Sequence, residues 1–153
     1  MKKVLIVILV AFIIIQFFPI DKTNPPPTPG MDFLKIKKTQ PEIAQIITTS
    51  CYDCHSNETK YPWYSNFSPF SWFLKNHIDE GRKHLNFSTF AVYEPKKQVH
   101  LLQECIEMTE KEEMPLPSYY IGHQDAKLTS VQRQKLIQYF KTAKQDTERS
   151  MSF

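Results

Sequence analysis

The sequence predicts an all-α domain that follows an apolar N-terminal segment. Apolar side chains recur at helical spacing in four segments after residue 40, and no stretch alternates convincingly between apolar and polar residues as a strand would. A proline-rich stretch separates these segments from the N-terminal one. We therefore predict a signal or anchor helix over residues 1–20, a linker over residues 21–30 and a single domain over residues 31–153.

The N-terminal segment has the features of an export signal. Met1-Lys2-Lys3 precede an unbroken apolar run over residues 4–15, and the apolar character resumes at residues 17–20. This pattern is typical both of a secretory signal peptide and of a short membrane anchor. Because Ala11 is the single alanine of this segment, there is no Ala-x-Ala-like cleavage site, and we favour an uncleaved anchor. The positive-inside rule then places everything after Ile20 outside the cytoplasm, which in a bacterium is the periplasmic side of the inner membrane.

The linker and the charge distribution restrict the partners of the chain. Four prolines within residues 21–30 favour an extended polyproline stalk, which would reach about 30 Å. The 19 basic and 16 acidic side chains are interspersed, so no basic stripe favours nucleic acid as a partner. The expected partners are the membrane, through the N-terminal helix, and other proteins.

The first two predicted helices flank a cysteine pair. Pro41 occupies a first-turn position, and the isoleucines of residues 43–47 form a stripe that ends close to Cys51. From Ser68-Pro69, a second apolar stripe predicts a helix for which Gly81 is a plausible end. The members of that stripe are Phe70, Phe73, Leu74, His77 and Ile78.

The third and fourth predicted helices carry clear start signals. Glu94-Pro95 begins the third, in which Val99, Leu102 and Ile106 recur at helical spacing. Thr129 with Gln132 three residues later forms a capping box at the start of the fourth. Its inner face consists of Leu136, Ile137, Phe140 and Ala143.

The chemistry of the chain is indicated by Cys51-Tyr52-Asp53-Cys54-His55, a C-x-x-C-H pattern typical of c-type haem attachment. Two thiols at this spacing can reach the two vinyl groups of one porphyrin, and the adjacent histidine then lies beneath the iron as a ligand. The sequence therefore predicts one covalent haem c on Cys51 and Cys54, with His55 bound to the iron. The acceptor that would orient the second nitrogen of His55 cannot be identified from the sequence.

Three other interpretations of the cysteine pair remain open. A thioredoxin-like redox pair uses C-x-x-C, but it belongs to an α/β pattern. A structural zinc site would need four ligands, which Cys51, Cys54, Cys105 and a histidine could supply. A disulfide between Cys51 and Cys54 would leave His55 without a role. The export signal favours haem, because thioether attachment in bacteria takes place outside the cytoplasm.

Met114 is the predicted sixth ligand of the iron. It lies in Glu113-Met114-Pro115-Leu116-Pro117, a stiff segment between the third and fourth helices. A thioether ligand raises the reduction potential and suits electron transfer, whereas methionine elsewhere is usually core filler. The alternatives are an open site or a histidine, with His77 ahead of His84, His100 and His123.

Other residues near the motif have two interpretations each. The aromatic side chains after it could line a porphyrin or fill a core; they are Tyr61, Trp63, Tyr64, Phe67, Phe70, Trp72 and Phe73. Arg82 could bind a haem propionate, although a surface salt bridge is the more common role. If haem takes Cys51 and Cys54, Cys105 is left as an unpaired thiol, which we expect to be buried and inert.

Several strings of the sequence resemble one family. They are Cys51-Tyr52-Asp53-Cys54-His55-Ser56-Asn57-Glu58-Thr59, Tyr61-Pro62-Trp63-Tyr64, Ser71-Trp72, His77-Ile78-Asp79-Glu80-Gly81-Arg82, Asn86-Phe87-Ser88 and Met114-Pro115-Leu116-Pro117-Ser118-Tyr119. Across nearly all of the region after the linker, the chain is similar to the small bacterial haem-binding domain proteins with a single C-x-x-C-H. The resemblance implies an exported, mostly helical c-type haem protein with a cytochrome c-like core, and it supports Cys51, Cys54, His55 and Met114 as site residues.

These observations favour a membrane-tethered monohaem cytochrome that passes single electrons between redox partner proteins outside the cytoplasmic membrane. Two strong axial ligands leave no open position on the iron, so we expect an electron carrier rather than an enzyme. The first alternative is a haem enzyme or sensor with an open sixth site, such as a peroxidase-like protein. The second is a thiol-disulfide oxidoreductase without haem.

Overall fold

The computed structural model describes residues 1–152, and this part of the chain contains seven α-helices and four short 3₁₀ helices. The α-helices are α1 (Lys2–Ile15), α2 (Phe33–Ile36), α3 (Pro41–Ser50), α4 (Tyr52–His55), α5 (Phe70–His84), α6 (Pro95–Glu110) and α7 (Ser130–Ser150). The 3₁₀ helices are Trp63–Asn66, Phe87–Val92, Tyr119–Ile121 and Gln124–Ala126. No strand occurs within residues 1–152, so the all-α prediction is confirmed. Phe153, the last residue of the predicted domain, lies outside the described residues.

Three predicted helices begin where the sequence signals place them. Pro41 and Pro95 each stand in the first turn, of α3 and α6 respectively, where the missing proline N–H costs no helical hydrogen bond. The capping box of α7 is present in both directions: the Thr129 hydroxyl accepts from the Gln132 N–H, and the Gln132 side chain accepts from the Thr129 N–H. Local chemistry is therefore sufficient to start these helices.

Helix α5 differs from its prediction in two ways. It continues through Gly81 to His84 and ends at Leu85, so the prediction of a helix end at Gly81 was wrong. Its buried side chains are Ser71, Leu74 and Ile78, whereas the Phe70 and Phe73 rings are exposed. The predicted apolar stripe therefore serves two surfaces, one in the core and one in an open cleft.

The core lies between the antiparallel pair α6 and α7 and the helices packed on it. Phe33 of α2 is fully buried at its centre, with ring centroids 5.2 Å from Phe87 and 4.9 Å from Phe90. The buried cluster comprises Phe33, Ile46, Ile47, Tyr52, Leu85, Phe87, Phe90, Leu101, Leu102, Ile106, Leu128, Leu136, Phe140 and Ala143. Since α3 and Tyr52 of α4 belong to this cluster, the core fixes the position of the cysteine motif.

The N-terminal segment forms α1, and its side chains are exposed from Met1 to Ile14. The helix contains 14 residues. Within residues 1–152, none of the helices combines the length and the apolar character needed to cross a membrane. The membrane anchor therefore stays a prediction.

The proline-rich linker lies along the domain instead of projecting from it as a stalk. The Asn24 side chain donates to the Thr59 carbonyl at 2.9 Å, and its oxygen accepts from Arg82 at 2.6 Å. Arg82 also donates to the Ser56 carbonyl at 2.7 Å and to the Thr59 hydroxyl at 2.8 Å. Arg82 thus ties the linker to the loop after the cysteine motif, and neither sequence-based interpretation of it, a propionate contact or a salt bridge, describes these bonds.

Candidate functional site

A cleft of about 1200 Å³ opens between α4, α5 and the segment over residues 114–122. Cys51, Cys54, His55 and Met114, the four residues predicted to hold a haem, all line it. His77, His84 and the end of α1 at Phe12 line it as well. The structure therefore brings the predicted site residues together around one space.

The motif residues reach the cleft because the chain turns sharply at Cys51. Helix α3 ends at Ser50, and the Cys51 carbonyl accepts hydrogen bonds from the N–H groups of Cys54, at 3.2 Å, and His55, at 2.9 Å. Tyr52 points the other way into the core, where its hydroxyl donates to Asp32 at 2.9 Å and its ring stacks on Phe87. Burial of Tyr52 therefore holds the turn that presents both thiols and the imidazole.

His55 is oriented by two backbone carbonyls at the end of α5. Its Nδ1 lies 3.1 Å from the Gly81 oxygen and 3.0 Å from the Leu85 oxygen. A carbonyl can only accept, so Nδ1 carries the proton and Nε2 keeps a free lone pair. Burial lowers the pKa of His55, which favours the neutral ring that a metal ion requires. These carbonyls are the orienting acceptors that sequence reasoning could not identify.

Gly81 allows α5 to approach the cysteine motif closely. A Cβ added at this position would lie 2.7 Å from the Cys54 carbonyl oxygen and 3.2 Å from its carbon. Both are backbone atoms, so neither helix could avoid the contact by rotating a side chain. The glycine therefore sets the distance between α5 and α4, and with it the reach of the Gly81 carbonyl to His55.

Replacing Gly81 by alanine is expected to destabilise the domain. Helix propensity alone would favour alanine by about 1 kcal/mol, but the backbone clash should reverse the sign and lower the free energy of unfolding by about 1–3 kcal/mol. Chemical denaturation of the full-length protein measures this change, with Lys83→Ala on the exposed face of α5 as the control. A Gly81→Ala variant as stable as the wild type would contradict the close approach.

The cysteine motif is also bonded to the segment that carries Met114. The Tyr119 hydroxyl donates to Asp53 Oδ2 at 2.5 Å, while Asp53 Oδ1 accepts from the Lys60 N–H at 2.9 Å. Burial, together with the Asp53 carboxylate, raises the pKa of Tyr119 and keeps its hydroxyl protonated. The ring of His123 stacks on Tyr119 with centroids 4.0 Å apart. Asp53 therefore acts as an anchor for the 114–122 segment.

Loss of the Tyr119 hydroxyl should loosen this segment. Tyr119→Phe removes a hydrogen bond to a charged acceptor, and we expect the free energy of unfolding to fall by about 1.5–3 kcal/mol. The matched control is Tyr120→Phe, because the Tyr120 hydroxyl makes no hydrogen bond within residues 1–152. If Met114 binds a haem iron as the sequence predicts, Tyr119→Phe should also raise the high-spin fraction of the ferric haem spectrum, because the segment that carries Met114 is loosened. Equal spectra for both variants would refute the positioning role.

The other histidines differ in how they are placed around the cleft. His77 lines the cleft and is half-buried, and its Nδ1 lies 2.8 Å from the Phe73 carbonyl of its own helix, so its Nε2 also keeps a free lone pair. His84 lines the cleft but is exposed and pairs with Glu104. His100 also faces Glu104, and neither His100 nor His123 belongs to the cleft lining.

Aromatic side chains after the motif form one wall of the cleft. Of the seven named from the sequence, five line it: Trp63, Tyr64, Phe67, Phe70 and Phe73. Trp63 is 76% exposed, Phe70 63% and Phe73 60%. The alternative in which these three rings fill the core is therefore wrong. Exposed apolar rings around a concave space indicate a large apolar ligand.

The thiols do not have the character of a redox-active pair. Burial raises the pKa of Cys51 to about 12 and that of Cys54 to about 11. The cysteine of a thiol oxidoreductase has a lowered pKa, because the thiolate is the nucleophile. The structure also has no strand before α3 within residues 1–152, unlike the thioredoxin pattern.

The zinc interpretation of the cysteines also lacks support. No group of three or more histidine, cysteine or acidic side chains suited to a metal ion occurs in the part of the chain that the structure describes. Cys105 packs against the core from α6, and burial raises the pKa of its thiol. This environment agrees with the predicted inert thiol.

The residues present fit a haem. The cleft exceeds the usual range of small-molecule sites, about 300–1000 Å³, and its lining is mostly apolar. Cys51 and Cys54 are free thiols, and His55 offers an unprotonated Nε2. A soft thioether, Met114, borders the same space. This donor set matches the thioether and axial-ligand chemistry of a c-type haem.

Three contributors to the site were missed by sequence reasoning. They are the Gly81 and Leu85 carbonyls, the bond between Tyr119 and Asp53, and Phe12 of the N-terminal segment. Each depends on a contact between residues far apart in the chain. Gly81, a glycine inside an otherwise helical pattern, was the one local sequence signal for these contacts, because such a glycine often marks close packing.

Comparison with known protein families supports haem binding. A family model described as a haem-binding domain matches residues 10–142. No curated protein and no solved structure gives a significant match. The matched region contains the cysteine motif, Met114 and the whole cleft. The match confirms the resemblance to a haem-binding domain family that was found in the sequence. The cofactor is therefore haem, and the chain belongs to the haem-binding domain family.

Proposed function

We propose that the protein is a monohaem c-type cytochrome that carries single electrons outside the cytoplasmic membrane. In this proposal Cys51 and Cys54 bind one haem through thioether bonds, and His55 and Met114 are its axial ligands. The observation that carries the proposal is that all four side chains line one apolar cleft, with the Nε2 of His55 free for a metal.

Covalent attachment is supported by the state and the position of the two thiols. Each thiol would add across one vinyl double bond, so that a carbon–sulfur bond forms and the thiol hydrogen goes to the second vinyl carbon. The addition has no leaving group and needs no oxidant. Both thiols are free and border the same space, and the turn at Cys51 fixes their separation.

Electron transfer is supported by the axial donors. The haem iron, when bound, supplies a one-electron centre whose potential depends on its axial ligands. His55 is held by the Gly81 and Leu85 carbonyls, and Met114 is held in a segment that Tyr119 ties to Asp53. Two fixed ligands would leave no position for a substrate, so the protein acts as a carrier rather than an enzyme.

The aromatic wall contributes by excluding water. Tyr64, Phe67 and Phe73 surround the space with apolar surface, which lowers the local dielectric and favours the less charged, reduced state of an iron centre. The described cleft lining also includes two carboxylates, Asp53 and Glu80, and three histidines, His55, His77 and His84.

The proposal is tested on the purified full-length protein. An alkaline pyridine spectrum should report one haem per chain with both vinyl groups saturated, and haem staining should persist on a denaturing gel. The ferric protein should be low-spin and should bind carbon monoxide or cyanide slowly. Haem that dissociates on denaturation would refute covalent attachment, and a high-spin iron that binds these ligands rapidly would favour the enzyme or sensor alternative.

A further inference from the structure

The N-terminal segment is attached to the mouth of the cleft. The Gln16 side chain pairs with the backbone of Ser68 in both directions, donating to its carbonyl at 2.9 Å and accepting from its N–H at 3.0 Å. The Trp72 indole donates to the Phe18 carbonyl at 2.9 Å. Phe12, one turn before Gln16, lines the cleft itself. The end of α1 is thus held directly against the start of α5.

Helix α1 presents apolar surface on every side. Its side chains from Val4 to Ile14 are apolar and exposed, and no residue of the helix is buried against the domain. A helix that is apolar all round is buried in a protein core or in lipid. The described domain fully buries none of these side chains, although Phe12 borders the cleft, and Lys2 and Lys3 at the start of the helix are the charges that lipid headgroups attract. Lipid is therefore the surrounding medium that this surface fits.

The mouth of the cleft continues this apolar surface. We define the rim as Trp63, Phe67 and Phe70, which line the cleft, together with Trp72, which is bonded to Phe18; they are 76%, 48%, 63% and 40% exposed. Both tryptophans of the chain belong to it. Tryptophan is enriched where membranes meet water, because an apolar ring with one polar N–H suits that boundary. The rim and α1 thus share the chemistry of a membrane surface.

We propose that the rim rests on the lipid surface in which α1 is buried, so that the haem cleft opens toward the membrane. Residues 12–18 are then a fixed wall of the haem domain and not a removable leader. The family match supports this, because it begins at residue 10, inside the apolar segment. If the protein transfers electrons as proposed above, this orientation makes its redox partner a membrane-resident carrier, and only this part of the inference rests on the proposed function.

Lipid contact is measured directly on the full-length, haem-loaded protein in nanodiscs of phosphatidylethanolamine and phosphatidylglycerol. A trace phospholipid with a photoreactive diazirine on its acyl chain labels the residues it touches, and mass spectrometry locates the labels. We expect labels on α1, Trp63 and Phe67. Val92 and Val131 are the internal controls, since they are 67% and 59% exposed but lie outside the rim. Labels confined to α1, or a mature chain that lacks α1, would overturn the proposal.

A variant tests whether the junction sets this orientation. Gln16→Leu removes both hydrogen bonds to Ser68 and should reduce rim labelling several-fold while labelling of α1 persists. Gln45→Leu is the matched control, because that side chain bonds only to Thr49 of its own helix. Rim labelling unchanged in Gln16→Leu would show that the junction does not orient the domain. The pyridine spectrum of each sample reports haem attachment separately, so a failure of the proposed function can be distinguished from a failure of the proposed membrane contact.

Discussion

Replacing both Cys51 and Cys54 by serine is expected to abolish covalent haem attachment. A hydroxyl does not add to a vinyl group under the conditions in which a thiol does, so no thioether can form at either position. The double variant should give no haem stain on a denaturing gel. Any haem that it retains should show the pyridine spectrum of an unsaturated, non-covalent porphyrin. Each single variant should keep one thioether and give an intermediate spectrum.

Cys105→Ser is the control for this experiment. Cys105 packs on the core from α6 and does not line the cleft, so its substitution should leave haem attachment and the spectrum unchanged. Loss of haem from the double variant should also lower thermal stability, because a ligand that binds only the folded state stabilises it. A haem stain that survived in the double variant would place the attachment elsewhere, and loss of the stain in Cys105→Ser would assign that thiol a role in attachment.

The parts of the fold that the sequence predicts correctly depend on local chemistry. Helices α3, α6 and α7 begin at a proline or a capping box, whose hydrogen-bonding requirements involve residues within one turn. The end of α5 could not be found in this way. Gly81 resembles a helix end in the sequence, yet its lack of a Cβ serves the contact with the Cys54 backbone. That contact joins two helices, and it produces no periodic pattern in the sequence.

The residues of the candidate site also differ in whether a local sequence signal predicts them or a long-range contact places them. The C-x-x-C-H pattern is contiguous, so spacing alone is enough to predict the cysteines and His55 as haem-binding residues. The carbonyl that fixes His55 lies 26 residues away at Gly81, and the tyrosine that anchors Asp53 lies 66 residues away. From the sequence, Arg82 was expected to pair with a negative charge, either a haem propionate or, more commonly, an acidic side chain in a surface salt bridge. Instead its donors satisfy neutral oxygens of Ser56, Asn24 and Thr59.

Substitution of Met114 by alanine should change the iron from low-spin to high-spin. Met114 borders the cleft, half-buried, and its N–H is bonded to the Met108 carbonyl at the end of α6. Losing a thioether ligand should lower the reduction potential by on the order of 0.1 V, within the ~0.8 V that axial ligands span. The open position should then bind carbon monoxide and cyanide rapidly. Optical titration and stopped-flow mixing measure these changes.

Met108→Ala is the matched control, since Met108 is half-buried like Met114 but does not line the cleft. Its loss should reduce stability without altering the spin state. His77→Ala tests the competing ligand: its ring stands over Phe73, with centroids 4.2 Å apart, and should be dispensable. A low-spin Met114→Ala together with a high-spin His77→Ala would transfer the ligand role to His77. A wild type that is already high-spin would instead leave the sixth position open, and electron transfer would give way to ligand binding as the function of this cleft.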